Sequence, residues 1–226
     1  MKKYLKLIIP VLVILGVLAL IFFKSSKLET IITNTINTKD KINYSTSVTL
    51  DINDSYNSSK VQYDCIKSYN IRKVEIKNYI GESERNSISK YEVKEKNKTV
   101  TYVYNGEDYE KIEKASEDLE IDYKALKNKM KNVKRIKKDE YSVKMKGYEA
   151  FNLLYSAEIM TKKDFNNNVT LHIKTDNKNK FIKEISYEIE NLNKSEDKNS
   201  SIKYKVKILN TDINNKNKIE LPFKKK

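Results

Sequence analysis

The longest stretch of hydrophobic positions lies near the N-terminus. Residues Leu7 to Phe23 carry no charge, and Pro10 and Gly16 are the only members that are neither aliphatic nor aromatic. In a helix with a rise of 1.5 Å per residue such a run reaches roughly 26 Å, the short end of what spans a hydrocarbon core. A helix of a soluble core would keep a polar face, and this run has none. The pattern therefore predicts a transmembrane helix within residues 1–27.

The flanks of this run decide between a cleaved signal peptide and an uncleaved signal anchor. Three lysines among the first six residues supply the positive region of a secretory signal. The run ends in the bulky residues Leu20 to Phe23, with no small-x-small cleavage site, and the single cysteine, Cys65, is too distant for a lipobox. These features favour an uncleaved single-pass anchor at the cell membrane, with residues 28–226 outside the cytoplasm. A cleaved signal peptide is the alternative.

Beyond the anchor the hydrophobic period changes from helical to two. Apolar residues recur at helical spacing from Leu28 to about Thr38, which predicts a short amphipathic helix. From Tyr44 to Ile52 apolar and polar residues alternate, which predicts a half-buried strand. Further alternating segments are Val61–Cys65, Val74–Ile76, Ile88–Glu95, Thr99–Tyr104, Asp108–Ile112, Tyr141–Met145, Val169–Ile173, Ile185–Ile189 and Ile202–Ile208. Polar residues between the apolar ones predict an antiparallel sheet with one wet face.

Two longer helices are predicted inside this series of strands. Ser116 is a suitable N-cap, and apolar residues at helical spacing follow it as far as Val133. The second helix is predicted from Tyr148 to about Met160. The order of helix, strands, helices and strands predicts an α+β domain over residues 28–226 and not a parallel βαβ fold.

The charge is strongly basic, with a formal net charge of +14. Such a charge favours contact with anionic lipid head groups or anionic envelope polymers. It is also what a lysine-rich composition of AT-rich, Gram-positive bacterial type places on solvated faces. The densest candidate contact lies at the end of the first long helix: Lys134, Arg135, Lys137 and Lys138. The alternative is an ordinary solvated helix face, and the lack of a nucleic-acid-binding motif argues against nucleic acid as a partner.

Residues that carry chemistry are few. The only histidine, His172, lies on the polar phase of its strand, and Cys65 lies on the apolar phase. The four glycines are isolated, so no phosphate-cradling loop is apparent. We find neither a metal-ligand set nor a nucleophile arrangement. The expectation is a protein that is not an enzyme and needs no cofactor or metal.

The C-terminal third resembles a known family. The strand pair Val169–Ile189, the strand Ile202–Ile208, the turn Thr211–Asn215 and the ending Ile219–Pro222 resemble the ending of LolA/LppX-like lipoprotein-carrier domains. The start is similar too, because an amphipathic helix leads into the Tyr44 strand. The resemblance covers most of residues 28–222 in pattern.

This resemblance implies a curved antiparallel sheet, a half-barrel packed with helices, whose concave face receives acyl chains. It implies a membrane-anchored binding protein for a lipid, a lipoprotein or another acylated partner. The candidate ligand-binding residues, chosen by strand and helix phase, are Tyr63, Tyr141, Phe151, Tyr155, Tyr187 and Tyr204. The same positions suit a filled core, and the second hypothesis is a non-enzymatic structural or interaction module of the envelope that uses its basic surface.

Overall fold

The structure is a computed structural model. It describes residues 27–54, 57–95, 98–112, 119, 121–154, 165–192, 201–215 and 219–223. The predicted anchor, with its apolar run Leu7–Phe23, lies outside the described residues. Within the described ranges, no helix combines the length and the apolar character needed to cross a membrane.

The first helix, α1, spans residues 27–38, as its periodicity predicts. Leu28, Ile31 and Ile32 form its buried face, while Lys27 and Glu29 point to solvent. Burial of each aliphatic side chain stabilises the packed helix by about 1.5–3 kcal/mol. The helix lies on the sheet through this face.

The described strands form one antiparallel sheet that does not close. Its order is β6-β5-β4-β3-β2-β1-β11-β10-β9-β8-β7, so β1 and β11 join two runs of neighbouring strands. This confirms the predicted antiparallel architecture. The strands are β1 Tyr44–Asn53, β2 Ser58–Ser68, β3 Ile71–Ile80, β4 Ser83–Glu95, β5 Lys98–Tyr104, β6 Tyr109–Ile112, β7 Val133–Lys137, β8 Glu140–Lys146, β9 Asn168–Asp176, β10 Phe181–Leu192 and β11 Ser201–Thr211.

The long helix predicted to reach Val133 is wrong. The chain forms a short helix, α2 (Tyr123–Lys127), and a 3-10 turn at Met130–Asn132, and then enters β7 at Val133. The side chain of Asp122 caps α2 by accepting hydrogen bonds from two of its backbone N–H groups. The apolar spacing is real, but pairing of Val133 with Val143 of β8 overrides a weak helical preference. Ser116 lies outside the described residues.

The second predicted helix is short within the described residues. Helix α3 spans Gly147–Asn152, and residues 155–164, including Tyr155 and Met160, lie outside the described part of the chain. A Cβ at Gly147 would lie 2.5 Å from Oδ1 of Asn167 and 3.0 Å from Cβ of Phe165. The glycine therefore lets the start of α3 approach the segment that leads into β9.

The strand registers give the sheet an apolar inner face, which carries the helices. Val48 lies opposite Tyr63 on one side and Ile208 on the other, and the row continues through Ile185 and Ile173. These residues, with the apolar sides of α1, α2 and α3, belong to one core cluster. The outer face over the same strands is polar and charged. The predicted wet face is confirmed.

The apolar phase changes face at the β4–β6 end. Tyr91, Val93 and Tyr102 are buried on the outer side, where the C-terminal segment 219–223 covers them. The ring of Phe223 lies 4.4 Å from that of Tyr102, centroid to centroid. The inner phase of β4 at this end therefore carries Lys90 and Glu92, which pair with Val74 and Arg72 of β3.

The backbone of Ile182, beside a β-bulge in β10, connects helix α1 to the sheet. The register between β9 and β10 shifts between Ile182 and Glu184, which interrupts the ladder hydrogen bonds. The N–H of Ile182 donates to the buried hydroxyl of Thr35 in α1 (3.1 Å), which itself donates to the Ile31 carbonyl (3.0 Å). The carbonyl of Ile182 accepts from Nδ2 of Asn210 (2.9 Å).

Asn210 extends this connection to two more elements. Its Nδ2 also donates to the hydroxyl of Tyr123 in α2 (3.0 Å), and its Oδ1 accepts from the hydroxyl of Thr46 in β1 (2.8 Å). Asn210 is buried in β11 and makes these bonds inside an apolar cluster. Since a buried amide without partners is costly, these bonds set how α1, α2, β1, β10 and β11 fit together.

We expect Thr35→Val to lower the free energy of unfolding by about 1–3 kcal/mol, because the buried N–H of Ile182 loses its acceptor. The matched control is Thr38→Val in the same helix, whose hydroxyl donates only to the Asn34 carbonyl one turn earlier. Urea unfolding of both variants, in the chain from residue 27 onward, measures the difference. Equal losses for the two variants would contradict the role of Thr35 at the bulge.

Candidate functional site

The predicted ligand-binding residues mostly lie in the packed part of the inner face. Tyr63, Tyr141, Phe151 and Tyr187 are buried, Tyr204 is half-buried, and Tyr155 lies outside the described residues. The structure brings Phe151 and Tyr204 together, with ring centroids 5.7 Å apart. Tyr63 on β2 and Tyr141 on β8 are separated by four intervening strands. These residues therefore do not form one continuous pocket, and their role in ligand binding stays a prediction.

Two of these tyrosines differ in how their hydroxyls are satisfied. The hydroxyl of Tyr187 donates to the Ala150 carbonyl (2.7 Å) and ties β10 to α3. The hydroxyl of Tyr141 is buried without a hydrogen-bond partner among the described residues. Burial raises the pKa of Tyr141, with Arg135 acting in the opposite direction. The alternation of apolar and polar residues correctly predicted that both rings lie on the apolar face of their strands. It could not indicate how their hydroxyls differ.

A strip of inner-face aliphatic residues lies beyond the tightly packed core. Ile52, Val61 and Ile76 are only partly buried, while Ile80 and Ile88 are 52% and 42% exposed. The strand registers place all five on the inner face of β1–β4, because Ile52 and Ile80 both pair with Ser59, and Ile76 pairs with Tyr63 and Ile88. We call these five residues the aliphatic strip. Sequence reasoning predicted a strand that includes Ile88 but did not select the strip as a site.

A small polar cavity lies further along the same face, where the turn after α1 meets β1–β3. Its volume is about 70 Å³, enough for two or three waters at about 30 Å³ each. This is far below the roughly 300–1,000 Å³ of a typical small-molecule pocket. Its lining comprises Lys39, Asp40, Tyr44, Thr46, Tyr63, Cys65, Lys67, Arg72, Leu119, Ile121 and Tyr123. We call it the polar cavity.

Lys67 is the most deeply placed ammonium group of the polar cavity. Its side chain is 11% exposed, and Nζ donates to the Lys39 carbonyl (2.6 Å) and to Oδ1 of Asp40 (3.2 Å). Burial lowers the pKa of Lys67, and the Asp40 carboxylate opposes this effect. Asp40 is 76% exposed. Burial tends to raise the pKa of Asp40, but the neighbouring Lys67 lowers it overall.

Arg72 occupies the adjacent side of the polar cavity. Its guanidinium donates to Oε2 of Glu92 and to the hydroxyl of Tyr63, both at 3.1 Å. Glu92 also pairs with Lys90 (3.3 Å), whose side chain is only 1% exposed. Burial acts to lower the pKa of Arg72, but its surroundings, the Glu92 carboxylate among them, raise that pKa overall. The group is therefore a permanent cation on the inner face.

Sequence reasoning missed this buried charge network. The alternation along β3 could have revealed it, because Arg72 lies on the same face of the strand as the apolar residues Val74 and Ile76. In β4 the inner phase carries Lys90 and Glu92 instead of apolar residues. Buried ions need partners, so opposite charges facing each other across β3 and β4 predict an internal ion pair.

The candidate anionic-surface residues do not lie on a helix, which corrects the expected basic helix face. Lys134, Arg135 and Lys137 belong to the edge strand β7, and Lys138 lies in the turn that follows. Lys134 and Arg135 are adjacent on the strand and point to opposite faces. Nζ of Lys137 pairs with Oε1 of Glu140 at 3.2 Å. Lysines and a bulge on an edge strand also disfavour edge-to-edge association.

The outer face carries a shallow trough of about 430 Å³ over β9–β11. Ser186 lies at its centre, opposite His172 on one strand and Lys207 on the other. His172 is exposed, as predicted, and Cys65 is buried, as predicted. The residues that the structure describes include no group of three or more His, Cys, Asp or Glu side chains suited to a metal ion.

The chain matches no protein-family model and no curated protein.

We expect Tyr141→Phe to leave the free energy of unfolding unchanged or to raise it by up to about 1 kcal/mol, because it removes a buried hydroxyl that lacks a partner. Tyr187→Phe is the matched control. It should lower stability by about 1 kcal/mol, since the Ala150 carbonyl loses its donor. Urea unfolding distinguishes the two. A loss at Tyr141 as large as that at Tyr187 would show that its hydroxyl has a partner.

Proposed function

We propose that this protein is a membrane-anchored, extracytoplasmic binding protein without catalytic activity, with a LolA/LppX-like half-barrel. In this proposal the inner face of the sheet holds the acyl part of a lipid or of an acylated partner. The observation that carries the proposal is the aliphatic strip, an apolar surface that is continuous with the core yet partly open to solvent. Exposed apolar surface of this kind marks binding grooves and interaction sites.

The energetics favour a chain-like apolar ligand. Each methylene group that leaves water for apolar surroundings contributes about 0.8 kcal/mol. Three neighbouring strands contribute Val61, Ile76 and Ile88 to the strip, so an extended chain laid across the strands would touch each in turn. The polar cavity of about 70 Å³ is too small for an acyl chain. In the proposal the chain therefore lies on the strip and not in that cavity.

The location follows from the N-terminal run. An uncleaved helix at Leu7–Phe23 would hold the domain at the outer surface of the membrane, close to acylated molecules. The tether would limit the protein to local capture or presentation and would prevent it from crossing a compartment.

The second candidate is an envelope interaction module that uses its basic surface. The observation that favours it is the basic edge strand β7, where Lys134 and Arg135 are exposed and Ile136 is 55% exposed between charged residues. An anionic polymer or an acidic protein surface would suit this edge by charge complementarity. Binding of such a partner without any acylated ligand would favour this candidate.

We expect Ile88→Lys to weaken binding of a fluorescent long-chain fatty acid by about tenfold or more, because a buried ammonium next to the acyl chain is costly. The matched control is Ile66→Lys, since Ile66 is similarly exposed (38%) but lies on the outer face of β2. Both positions are open to solvent, so both variants should fold. Fluorescence titration of the detergent-solubilised full chain measures the two affinities.

Native mass spectrometry of the purified full chain provides a second measurement. Retention of a lipid-sized mass, lost in the Ile88→Lys variant and kept in the Ile66→Lys variant, supports the proposal. The proposal fails if the wild-type chain binds no acylated ligand, or if the two variants lose binding equally.

A further inference from the structure

The polar cavity and the aliphatic strip lie on the same face of the same strands. Tyr63 connects them, because it lines the cavity and pairs with Ile76 of the strip. Along β3, Arg72 is four residues from Ile76 and points to the same side. At about 3.4 Å per residue, the Cα atoms of these two residues are roughly 14 Å apart. One amphipathic ligand can therefore contact both.

The described side chains around the cavity are mostly basic. Among the described residues of the cavity and the adjoining ion network, four basic side chains face two carboxylates: Lys39, Lys67, Arg72 and Lys90 against Asp40 and Glu92. Glu92 is held between Arg72 and Lys90 and is buried. Asp40 is the exposed carboxylate of the pair with Lys67. Within the described part of the chain, cationic side chains therefore outnumber carboxylates here, and the Asp40 carboxylate is in contact with solvent.

Asp40 occupies the position at which an incoming anion would bind Lys67. Its carboxylate lies 3.2 Å from Nζ of a lysine that is itself nearly buried. Because Asp40 is solvated, it can rotate into water at low cost, whereas Lys67 has little freedom to follow it. The hydroxyls of three tyrosines, Tyr44, Tyr63 and Tyr123, add hydrogen-bonding groups to the lining, whereas the Thr46 hydroxyl already donates to Asn210. Cationic donors with hydroxyls suit a phosphate oxygen.

We propose that the polar cavity binds the phosphate group of an anionic ligand, with Lys67 and Arg72 as the cationic side chains and Asp40 as the carboxylate that the phosphate displaces. This rests on the proposed function, because the strip would hold the acyl part of the same ligand. The cavity volume of about 70 Å³ suits one small polar group such as a phosphate. The ligand class is therefore a phosphate-bearing acyl lipid with a small head group.

The experiment compares three water-soluble probes on the detergent-solubilised full chain by isothermal titration calorimetry: dihexanoyl phosphatidic acid, dihexanoylglycerol and inorganic phosphate. We expect the phosphatidic acid to bind about tenfold or more tightly than the acylglycerol, as a charge-assisted hydrogen bond predicts. Inorganic phosphate should bind more weakly than the phosphatidic acid, since it makes no contact with the strip.

Two variants act in opposite directions. Lys67→Met should abolish the preference for the phosphatidic acid over the acylglycerol. Asp40→Ala should increase that preference severalfold, because it removes the competing carboxylate, and its exposed position should leave folding intact. Lys207→Met on the outer face removes the same charge as Lys67→Met and should change nothing.

The outcomes separate this inference from the proposed function. Equal binding of phosphatidic acid and acylglycerol, or a preference that Asp40→Ala does not increase, overturns the phosphate site while acyl binding stands. Binding of inorganic phosphate as tight as that of phosphatidic acid, with no binding of the acylglycerol, means that the site takes free phosphate and overturns the acyl function. If Lys67→Met and Lys207→Met lower the preference for the phosphatidic acid equally, the preference comes from the net charge of the protein, and the phosphate site is overturned.

Discussion

The backbone N–H and carbonyl of Ile182 make the hydrogen bonds that connect the sheet to its helices. Ile182 lies beside the bulge in β10 and beyond the end of the β10–β11 ladder at Glu184 and Leu209, and side chains of α1 and β11 bind its N–H and its carbonyl. Through Asn210 the same cluster reaches α2 and β1. An apolar core alone would let α1 slide along the sheet, because hydrophobic burial is not directional. Buried hydrogen bonds give the helix one position, and that position places the turn containing Asp40 beside β2 and β3.

The sheet has two kinds of inner surface as a result. Over β7–β11 the helices cover it and the side chains pack as a core. Over β1–β4 the aliphatic strip is partly open, and a charged network lies beyond it on the same strands. This arrangement of apolar and cationic surface within one face is what an amphipathic anionic ligand requires. The change of apolar phase at β4 creates it, because Tyr91 and Val93 turn outward to the C-terminal segment and leave Lys90 and Glu92 inside.

Local patterns predicted much of the secondary structure and less of the candidate site. The spacing of apolar residues within single segments predicted the α1 helix, the β1 strand, the antiparallel sheet with one wet face and the burial of Cys65. The extent of the helix before β7 was wrong, since the same apolar spacing fits two short helical turns followed by a strand. The basic residues Lys134 and Arg135 were assigned to a helix face for the same reason. The phase of Tyr63 was correct, but phase does not distinguish a packed ring from one that lines a cavity.

The sequence by itself determined which side of each strand is apolar, because the period of two is a property of consecutive residues. It also determined the basic charge, the single buried thiol and the apolar run at Leu7–Phe23. Only the tertiary structure decided which strand is an edge, where the bulge falls, and which side chains meet around the polar cavity. Lys67 and Arg72 face each other across the β2–β3 pair, and Asp40 in the turn after α1 reaches Lys67, while Thr35 of the same helix binds Ile182. Contacts of this kind depend on which segments far apart in the chain pair with each other. The spacing of residues within one segment does not determine that pairing.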